Sequence, residues 1–394
     1  MIHIWDKKLC CGCHGCAQAC PKQCIEMVMD EEGFFYPMVD ESHCIQCGLC
    51  EKLCPVLKAK PDAQDKRPAA VAARNQDNAV RRESSSGGVF TLLAERVISR
   101  SGVVFGAAWT EDFRAVQHIA VRTEADLAKL RSSKYLQSTI GSCYIQVKEF
   151  LDKGVEVLFS GTPCQIEGLR RFLCKDYENL LCVDLVCHGV PAPVVWRQYL
   201  LECEEKHGAQ VKNVTFRDKS TGWKSYSVTL QFENGAEQSI PAYEEPYMRA
   251  FLSDACLRPS CHDCRFKKYN RESDLTLADF WGIETVCPEM DDDRGTSLVL
   301  VHSPAGQAAL DAIRDQLMMK LVDVAAALQQ NPSAVVASGV HENREAFLES
   351  LGSIAFASAV KRWLPRKTSA KEKLYNILQK LGMVDIVKKF LGRK

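Results

Sequence analysis

Apolar and polar positions alternate along this chain in two different rhythms. Between residues 69 and 303, short runs rich in β-branched and aromatic residues alternate with segments in which apolar residues recur every three or four positions. Runs of the first kind predict strands, and segments of the second kind predict helices. The predicted strands are 103–109, 155–159, 180–186, 211–216 and 226–232, and the predicted helices are 89–98, 124–130, 142–151, 166–173 and 194–206. This order predicts an α/β domain with a mixed sheet.

The segments on either side of this domain follow other patterns. Residues 25–29 and 34–39 predict a hairpin around a turn at 30–33, and the proline-containing stretch 59–68 predicts a linker. We therefore expect a small domain at residues 1–58, a large domain at 69–305 and a largely helical region at 306–394.

Composition and charge narrow the class of protein. The 394 residues are 46% apolar and 25% charged, which is typical of folded globular domains. Basic and acidic residues number 50 each, so the overall charge gives no reason to expect a nucleic-acid partner.

The C-terminal segment 361–394 is an exception, since it holds eleven basic and two acidic residues. Apolar residues recur there at helical spacing, and a basic helix of this kind can lie on the inner face of a membrane as a peripheral contact. A packed terminal helix with a solvated basic face is the alternative, and the sequence favours it.

Twenty cysteines are the outstanding feature of the composition. Residues 1–9 contain charges and no apolar run, so we expect no signal peptide, and no apolar stretch reaches the roughly 18 residues of a membrane span. We therefore expect a cytoplasmic protein, in which paired thiols bind metals more often than they form disulfides.

Two copies of one cysteine pattern lie 34 residues apart. Each copy reads C-x2-C-x2-C-x3-C-P, the bacterial signature of a domain with two 4Fe-4S clusters, in which the fourth cysteine of each copy binds the other cluster. The predicted ligands are Cys10, Cys13, Cys16 and Cys54 for one cluster and Cys20, Cys44, Cys47 and Cys50 for the other. Zinc is the alternative, but its sites usually use cysteine pairs rather than triplets.

Residues around these ligands have simpler interpretations. Gly12, Gly15 and Gly48 allow the backbone to approach a cluster closely and to direct amide hydrogens at sulfur. Cys11 and Cys24 fall outside the pattern, and we interpret them as buried thiols without a metal.

A second group of cysteines predicts a further site in the large domain. Cys164 and Cys187 each follow a predicted strand, so they are expected to meet at one sheet edge. Cys261 and Cys264 form a C-x2-C pair on a loop, and the four together predict a third 4Fe-4S cluster. Cys256 and Cys182 are reserve ligands, and zinc or unliganded thiols are the alternatives. We interpret the isolated cysteines as core residues: Cys143, Cys174, Cys203 and Cys287.

Two polar loops suggest a bound dinucleotide. The segment 84–88 reads Ser-Ser-Ser-Gly-Gly before a predicted helix, where free amides can bind phosphate, although for this segment alone an ordinary helix cap is the favoured explanation. The segment 132–138 adds a lysine and a tyrosine. Because clusters move one electron at a time and most organic substrates need two, a flavin is the expected converter.

Six segments together resemble the coenzyme F420 hydrogenase/dehydrogenase beta-subunit family: 84–90, 132–138, 161–171, 184–191, 216–223 and 261–283. The two-cluster N-terminal domain is similar to that of the family's bacterial members, so the resemblance covers about residues 1–305. Members bind FAD and 4Fe-4S clusters, and archaeal members exchange hydride with a deazaflavin coenzyme. Ala278 departs from the family's pattern, where glycine is expected.

The resemblance implies two sets of site residues. Iron would be bound by Cys164, Cys187, Cys261 and Cys264 in addition to the N-terminal ligands. The implied FAD-binding residues are Ser84, Ser85, Ser86, Gly87, Gly88, Lys134, Tyr135, Gln137, Ser138, Gly161, Thr162 and Pro163.

We therefore predict an iron–sulfur flavoprotein oxidoreductase. Its fold would combine α+β and α/β parts: a small ferredoxin-like two-cluster domain, a large mixed α/β FAD-binding domain and a helical C-terminal tail. Electrons would pass between a redox partner such as reduced ferredoxin, the clusters and FAD, which would exchange hydride with a small molecule that the sequence does not identify. Similar bacterial chains often lie near genes for surface polysaccharide synthesis, which suggests a sugar-linked redox step. The alternative is a non-catalytic electron-transfer subunit of a larger redox complex.

Overall fold

The structure, a computed structural model, describes residues 1–59 and 67–365. Most of the predicted linker and the basic tail beyond residue 365 therefore lie outside the described residues. The described strands are β1 (Ile25–Met29), β2 (Phe35–Val39), β3 (Ala69–Asn75), β4 (Val103–Trp109), β5 (Val116–Val121), β6 (Ser138–Thr139), β7 (Val157–Gly161), β8 (Leu180–Leu185), β9 (Val211–Asp218), β10 (Ser227–Phe232), β11 (Glu237–Pro241), β12 (Leu275–Asp279), β13 (Ser297–Val301) and β14 (Leu317–Val322).

Helices of very different lengths connect these strands. The described α-helices are α1 (Gly15–Gln18), α2 (Leu49–Lys52), α3 (Asn78–Glu83), α4 (Val89–Ser99), α5 (Glu124–Leu127), α6 (Cys143–Asp152), α7 (Pro163–Leu173), α8 (Pro193–His207), α9 (Pro246–Leu252), α10 (Ile283–Val286), α11 (Pro304–Asp311), α12 (Val324–Leu328), α13 (Arg344–Ser350) and α14 (Phe356–Trp363). Among these residues, no helix has both the length and the apolar character that a membrane span requires.

The described strands form three sheets. In the small domain β1 and β2 pair as an antiparallel hairpin, with Ile25 opposite Val39. Strands β9, β10 and β11 form a second antiparallel sheet. The remaining strands form a mixed sheet in the order β14-β3-β13-β12-β8-β7-β4-β5-β6. The predicted mixed α/β architecture is therefore confirmed.

The centre of the large sheet is parallel. Strands β12, β8, β7 and β4 run in the same direction, so their carboxyl ends lie at one edge. Ligands in open α/β sheets usually bind at that edge. The residues that follow these strands, including 162–164, 187–189 and 280–282, are consequently placed close to one another.

Each part of the large domain has its own apolar core. Helix α4 packs on one face of the large sheet, where Leu93 contacts a cluster that includes Leu158. Helices α6 and α7 cover the other face around Phe159. A third core, centred on the buried Trp196, joins α8 and α9 to the three-stranded sheet. These cores keep the loops at the sheet edge in fixed positions.

Two differences from the predicted elements affect the site and the domain boundaries. Helix α7 begins at Pro163 rather than near residue 166, because Thr162 and Gln165 form a capping box and proline favours the first helical position. Cys164 therefore lies inside the first turn. Strand β14 lies in the region predicted to be helical and pairs with β3, so the large sheet extends beyond residue 305.

Candidate redox centres and cofactor cavity

The two N-terminal cysteine loops repeat in backbone conformation as well as in sequence. Gly12 and His14 have φ angles of 69° and 60°, and the equivalent residues of the second loop, Gln46 and Gly48, have φ angles of 53° and 70°. Such left-handed conformations are uncommon for residues other than glycine. A short helix follows in each copy, α1 and α2. Each loop thus turns three cysteines toward one side.

Cys54 lies with the cysteines of the first loop, as the crossed arrangement of ligands predicts. The Cys16 thiol interacts electrostatically with those of Cys13, Cys10 and Cys54, and burial raises its pKa well above the usual value. Burial also raises the pKa of Cys54, to about 11. Four thiols that are buried or partly buried at one place fit a metal cluster, since a bound metal offsets the cost of forming thiolates there.

The other four N-terminal cysteines line a small cavity of their own: Cys20, Cys44, Cys47 and Cys50. The backbone amide of Ile2 donates to Sγ of Cys50 at 3.3 Å, a contact typical of the surroundings of iron–sulfur ligands. Cys24 lies beside this group, with its Sγ 3.4 Å from Sγ of Cys20. Cys47 is exposed, so this site lies next to solvent.

The fold also brings together four cysteines that are far apart in sequence. Cys164 lies in the first turn of α7, Cys187 follows β8, and Cys261 and Cys264 lie on the loop before β12. The Cys187 thiol interacts electrostatically with the other three. Burial raises the pKa of Cys187 and raises that of Cys261 to about 12. These are the four residues that the sequence predicted for a third cluster.

The two reserve ligands do not belong to this group. The reserve ligands Cys182 and Cys256 are buried in separate apolar cores. Cys174, which we interpreted as a core residue, is exposed because it is the left-handed residue that ends α7, with a φ of 56°. Within the described part of the chain, no three His, Cys, Asp or Glu side chains converge at the spacing that a single metal ion needs.

Helix α7 joins the first cysteine set to the third. The Cys11 thiol interacts with the thiols of both Cys13 and Cys164, and its hydrogen bond lowers the pKa of Cys164 to about 7. One turn further on, Gly168 lies against the first loop, where an added Cβ would be 2.9 Å from Cβ of Cys13. The first and third sets are therefore direct neighbours.

Arg258 was not predicted from the sequence and connects the small domain to the large one. Its side chain is buried and donates from Nε to the carbonyl of Cys10 at 2.8 Å and from Nη2 to the carbonyl of Phe35 at 2.9 Å. Nη1 donates to Oε1 of Gln137 at 3.0 Å. The guanidinium also lies over the Tyr36 ring, 4.4 Å from its centre. All three nitrogens are thus used at the domain interface.

A cavity of about 650 Å³ opens at the sheet edge beside the third cysteine set. This volume lies within the range of cofactor sites. Nine of the residues implied to bind FAD line the cavity: Ser84, Ser85, Ser86, Gly88, Lys134, Tyr135, Ser138, Gly161 and Thr162. Cys187 lines it as well, so the cavity and the third cysteine set share a wall.

Three of the residues implied to bind FAD lie outside the described cavity lining. Gly87 faces backbone, since a Cβ there would collide with the carbonyl oxygen of Ala73. Gln137 points to the small domain and donates to the carbonyl of Cys11 at 3.0 Å. Pro163 is the first residue of α7. Gly87 and Pro163 shape the two loops through the backbone, whereas Gln137 contributes to the domain interface.

Burial alters the pKa values of two cavity residues. Desolvation lowers the pKa of Lys134 to about 7, although its Nζ donates to the carbonyl of Arg131 at 2.7 Å. Desolvation also lowers the pKa of His118 to about 4, so its ring is neutral near pH 7. Nδ1 of His118 lies 2.7 Å from the hydroxyl of Ser138. This contact fixes one of the polar side chains on the cavity wall.

Several cavity residues lie in segments that carried the family resemblance but were not predicted as site residues. Arg217 on β9 is buried, and its Nη2 lies 3.2 Å from Oδ2 of Asp279 at the end of β12. His188 follows Cys187, and the sequence left two roles equally open for it: orienting a ligand or proton, or a structural hydrogen bond. Its Nε2 lies 2.7 Å from Oδ1 of Asp254. The sequence signal that could have identified these residues is a polar side chain next to the end of a strand, but many other residues of the chain occupy such positions.

The protein is an iron–sulfur protein of the oxidoreductase type. Three features define this class: the fold, the paired cysteine loops and the cavity beside the third cysteine set. Residues 9–57 match the model of the 4Fe-4S dicluster domain, and residues 154–327 match that of the C terminus of the coenzyme F420 hydrogenase/dehydrogenase beta subunit. The chain thus combines a dicluster domain with a region that is similar to the C terminus of this beta subunit. The resemblance predicted from the sequence is confirmed.

Two curated relatives match different parts of the chain. A coenzyme F420-dependent sulfite reductase of Methanocaldococcus jannaschii is 28% identical over 328 residues, which cover 79% of this chain and 47% of that protein. Ferredoxin-1 of Caulobacter vibrioides is 32% identical over 76 residues, covering 19% of this chain and 63% of the ferredoxin. The chain thus spans about half the length of the reductase.

A solved structure of the F420-reducing NiFe hydrogenase complex from Methanosarcina barkeri contains a similar chain. The alignment has a TM-score of 0.45 and 16% identity, and it covers 69% of this chain and 91% of that one.

Proposed function

We propose that this protein transfers electrons through three 4Fe-4S clusters to an FAD in the large cavity, where the flavin exchanges hydride with a small molecule. The observation that carries the proposal is that Cys187 belongs to the third cysteine set and also lines the cavity. A cluster on this set would adjoin a flavin in the cavity. The clusters would be bound by Cys10, Cys13, Cys16 and Cys54, by Cys20, Cys44, Cys47 and Cys50, and by Cys164, Cys187, Cys261 and Cys264.

The positions of the three sets support a defined order of electron transfer. The set that contains the exposed Cys47 faces solvent, which suits exchange with a redox partner protein. The first loop lies between that set and the large domain, and the Cys11 thiol links it to Cys164. Electrons would thus enter at the second set, pass through the first set to the third, and end in the cavity, or move in reverse.

The chain's own residues supply the binding chemistry for a flavin. FAD, when bound, would convert single-electron transfers into a two-electron reaction. The amides at the start of α4 and the Ser85 hydroxyl would bind its phosphates. Lys134 could take up a proton beside such an anion, because burial holds its pKa near 7.

Two candidate substrates follow from the family and from the sequence analysis. One is a deazaflavin-like coenzyme, the kind of molecule that the names of the relatives mention. The other is a sugar-linked compound of surface polysaccharide synthesis. A second candidate function, a non-catalytic electron-transfer subunit of a larger redox complex, is supported by the exposed Cys47, which places one cysteine set next to solvent and within reach of a partner protein.

Cofactor stoichiometry tests the proposal directly. Protein purified without oxygen should contain about twelve irons, from four in each cluster, with equal sulfide and one FAD per chain. The double variant Cys261→Ser/Cys264→Ser should contain about eight irons and keep the N-terminal clusters. The control Cys174→Ser changes an exposed thiol outside the three sets and should keep all twelve.

Other stoichiometries would contradict specific parts of the proposal. Eight irons in the unaltered protein would remove the third cluster, and zinc in place of iron would refute the electron-transfer function. Turnover separates the two candidate functions, because a non-catalytic subunit would reduce its flavin without releasing a product.

A further inference from the structure

We propose that Arg217 is an anion-binding group of the large cavity and that it takes a phosphate or carboxylate through the edge formed by Nε and Nη2. The inference deepens the proposed function. It rests on that function in one respect only, namely that the cavity binds a ligand. It assigns a binding role to a residue that sequence reasoning did not select.

The free edge of the guanidinium is the main observation. Arg217 is only 3% exposed and lies in the cavity wall. Neither Nε nor Nη2 has a hydrogen-bond acceptor among the described residues. Their N–H groups lie side by side on one edge of a planar fork, which matches two oxygens of a carboxylate or phosphate. A buried charged group with unused donors is costly, so a ligand that accepts from both would relieve that cost.

The surroundings hold the guanidinium in place, and none of the described residues forms a well-aligned hydrogen bond with this edge. Its centre lies 3.9 Å from the centre of the Tyr226 ring and 5.2 Å from that of Trp281, so aromatic faces fix its plane. Oδ2 of Asp279 lies 3.2 Å from Nη2 and balances the charge, but not along an N–H direction. The arginine is therefore already oriented before a ligand binds.

Nearby cations use most of their donors: both terminal nitrogens of Arg131 pair with Glu83 and Glu95, and only its Nε lacks an acceptor among the described residues, whereas Arg217 has two adjacent unpartnered nitrogens. Nζ of Lys134 donates to the carbonyls of Arg131 and Ser132. Nζ of Lys219 donates to backbone carbonyls, among them that of Ser86.

An anion in this cavity could come from two sources: the diphosphate of a dinucleotide cofactor or the acid group of a substrate.

The test uses the full protein after removal of flavin, with inorganic pyrophosphate as the probe in calorimetric titrations. We expect Arg217→Met to weaken pyrophosphate binding about 10- to 100-fold, because two charge-assisted hydrogen bonds are lost. Arg217→Lys should weaken it as well, since lysine keeps the charge but lacks the fork. Arg114→Met is the matched control, because it removes an arginine that pairs with Glu204 away from the cavity.

Titrations with FAD and riboflavin identify the source of the anion. Weaker FAD binding with unchanged riboflavin binding in the Arg217 variants would assign the site to the cofactor's diphosphate. Unchanged FAD binding, together with loss of the absorbance change that inorganic phosphate produces in FAD-loaded protein, would assign it to a substrate. Pyrophosphate binding through Arg217 in a protein that binds no FAD would refute the proposed function but not this inference.

The inference is overturned if the unaltered protein binds neither pyrophosphate nor phosphate. It is also overturned if folded Arg217 variants bind these anions and FAD as the unaltered protein does. Should Arg217→Met fail to fold, Arg217→Lys decides alone, because it keeps the charge beside Asp279.

Discussion

The N-terminal cysteine loops and the third cysteine set reach similar arrangements by different routes. In the loops, three cysteines within seven residues face one side because the intervening backbone turns, with Gly12 and Gly48 in left-handed conformations. In the third set, Cys164 and Cys264 are brought together by a nine-stranded sheet and two loops. The first arrangement is encoded locally, whereas the second requires the complete large domain. The two should therefore respond differently to the same kind of change.

Among the substitutions that test this difference between the loops and the third set, Arg258→Met is expected to have the largest effect on stability. The variant leaves the carbonyls of Cys10 and Phe35 and the side-chain oxygen of Gln137 without a partner at a buried interface, which should cost about 3 kcal/mol of unfolding free energy. Thermal unfolding and amide hydrogen exchange at residues 10–14 would measure the change. The N-terminal loops should still hold about eight irons, because their ligands are local.

Arg314→Met is a suitable control, since Arg314 is exposed and pairs only with Asp311 among the described ion pairs. Equal stability of Arg258→Met and the unaltered protein would show that the interface does not depend on this guanidinium.

A smaller effect should separate Gly12→Ala from Gly48→Ala. Both residues have φ near 70°, so alanine carries a backbone cost of about 1 to 2 kcal/mol at each. At Gly12 the new Cβ would also lie 2.9 Å from Nη1 of Arg258 and from Nε2 of Gln137, whereas at Gly48 nothing lies within 4 Å. Gly12→Ala should therefore unfold at a lower temperature than Gly48→Ala. Identical unfolding temperatures for the two variants would contradict this prediction, because they would show that the domain interface accommodates the Cβ at position 12 without loss of stability.

A third effect, gradual because it accumulates per pH unit, concerns the pH dependence of stability in the flavin-free protein. The pKa of Lys134 is about 7 when folded and 10.5 in its ordinary state, so between these values the unfolded chain binds more protons. Stability should rise with pH in this window by up to about 1.4 kcal/mol per pH unit, relative to Lys134→Met. Thermal unfolding between pH 6 and 9 would measure it. The exposed Lys153→Met is the control, and parallel curves for the unaltered protein and Lys134→Met would contradict the assignment.

The same contrast explains how much the sequence could predict. The crossed position of Cys54 follows from a spacing rule, and Cys164 and Cys187 were predicted together because each follows a strand of one sheet. Arg258 could not be found in this way, because its role depends on how two domains pack and leaves no periodic trace. Strand β14 was missed because its six residues, 317–322, are too short to distinguish strand from helix by periodicity alone.

Under the proposed function, helix α7 has a further consequence for the rate of electron transfer. It supplies Cys164 from its first turn and touches Cys13 through Gly168, a residue type that weakens helix interiors. One extra carbon at position 168 would push the small domain outward. Electron tunnelling slows steeply with distance, so the rate between the first and third proposed clusters would depend on the missing side chain at this position, at the cost of a residue that weakens the helix.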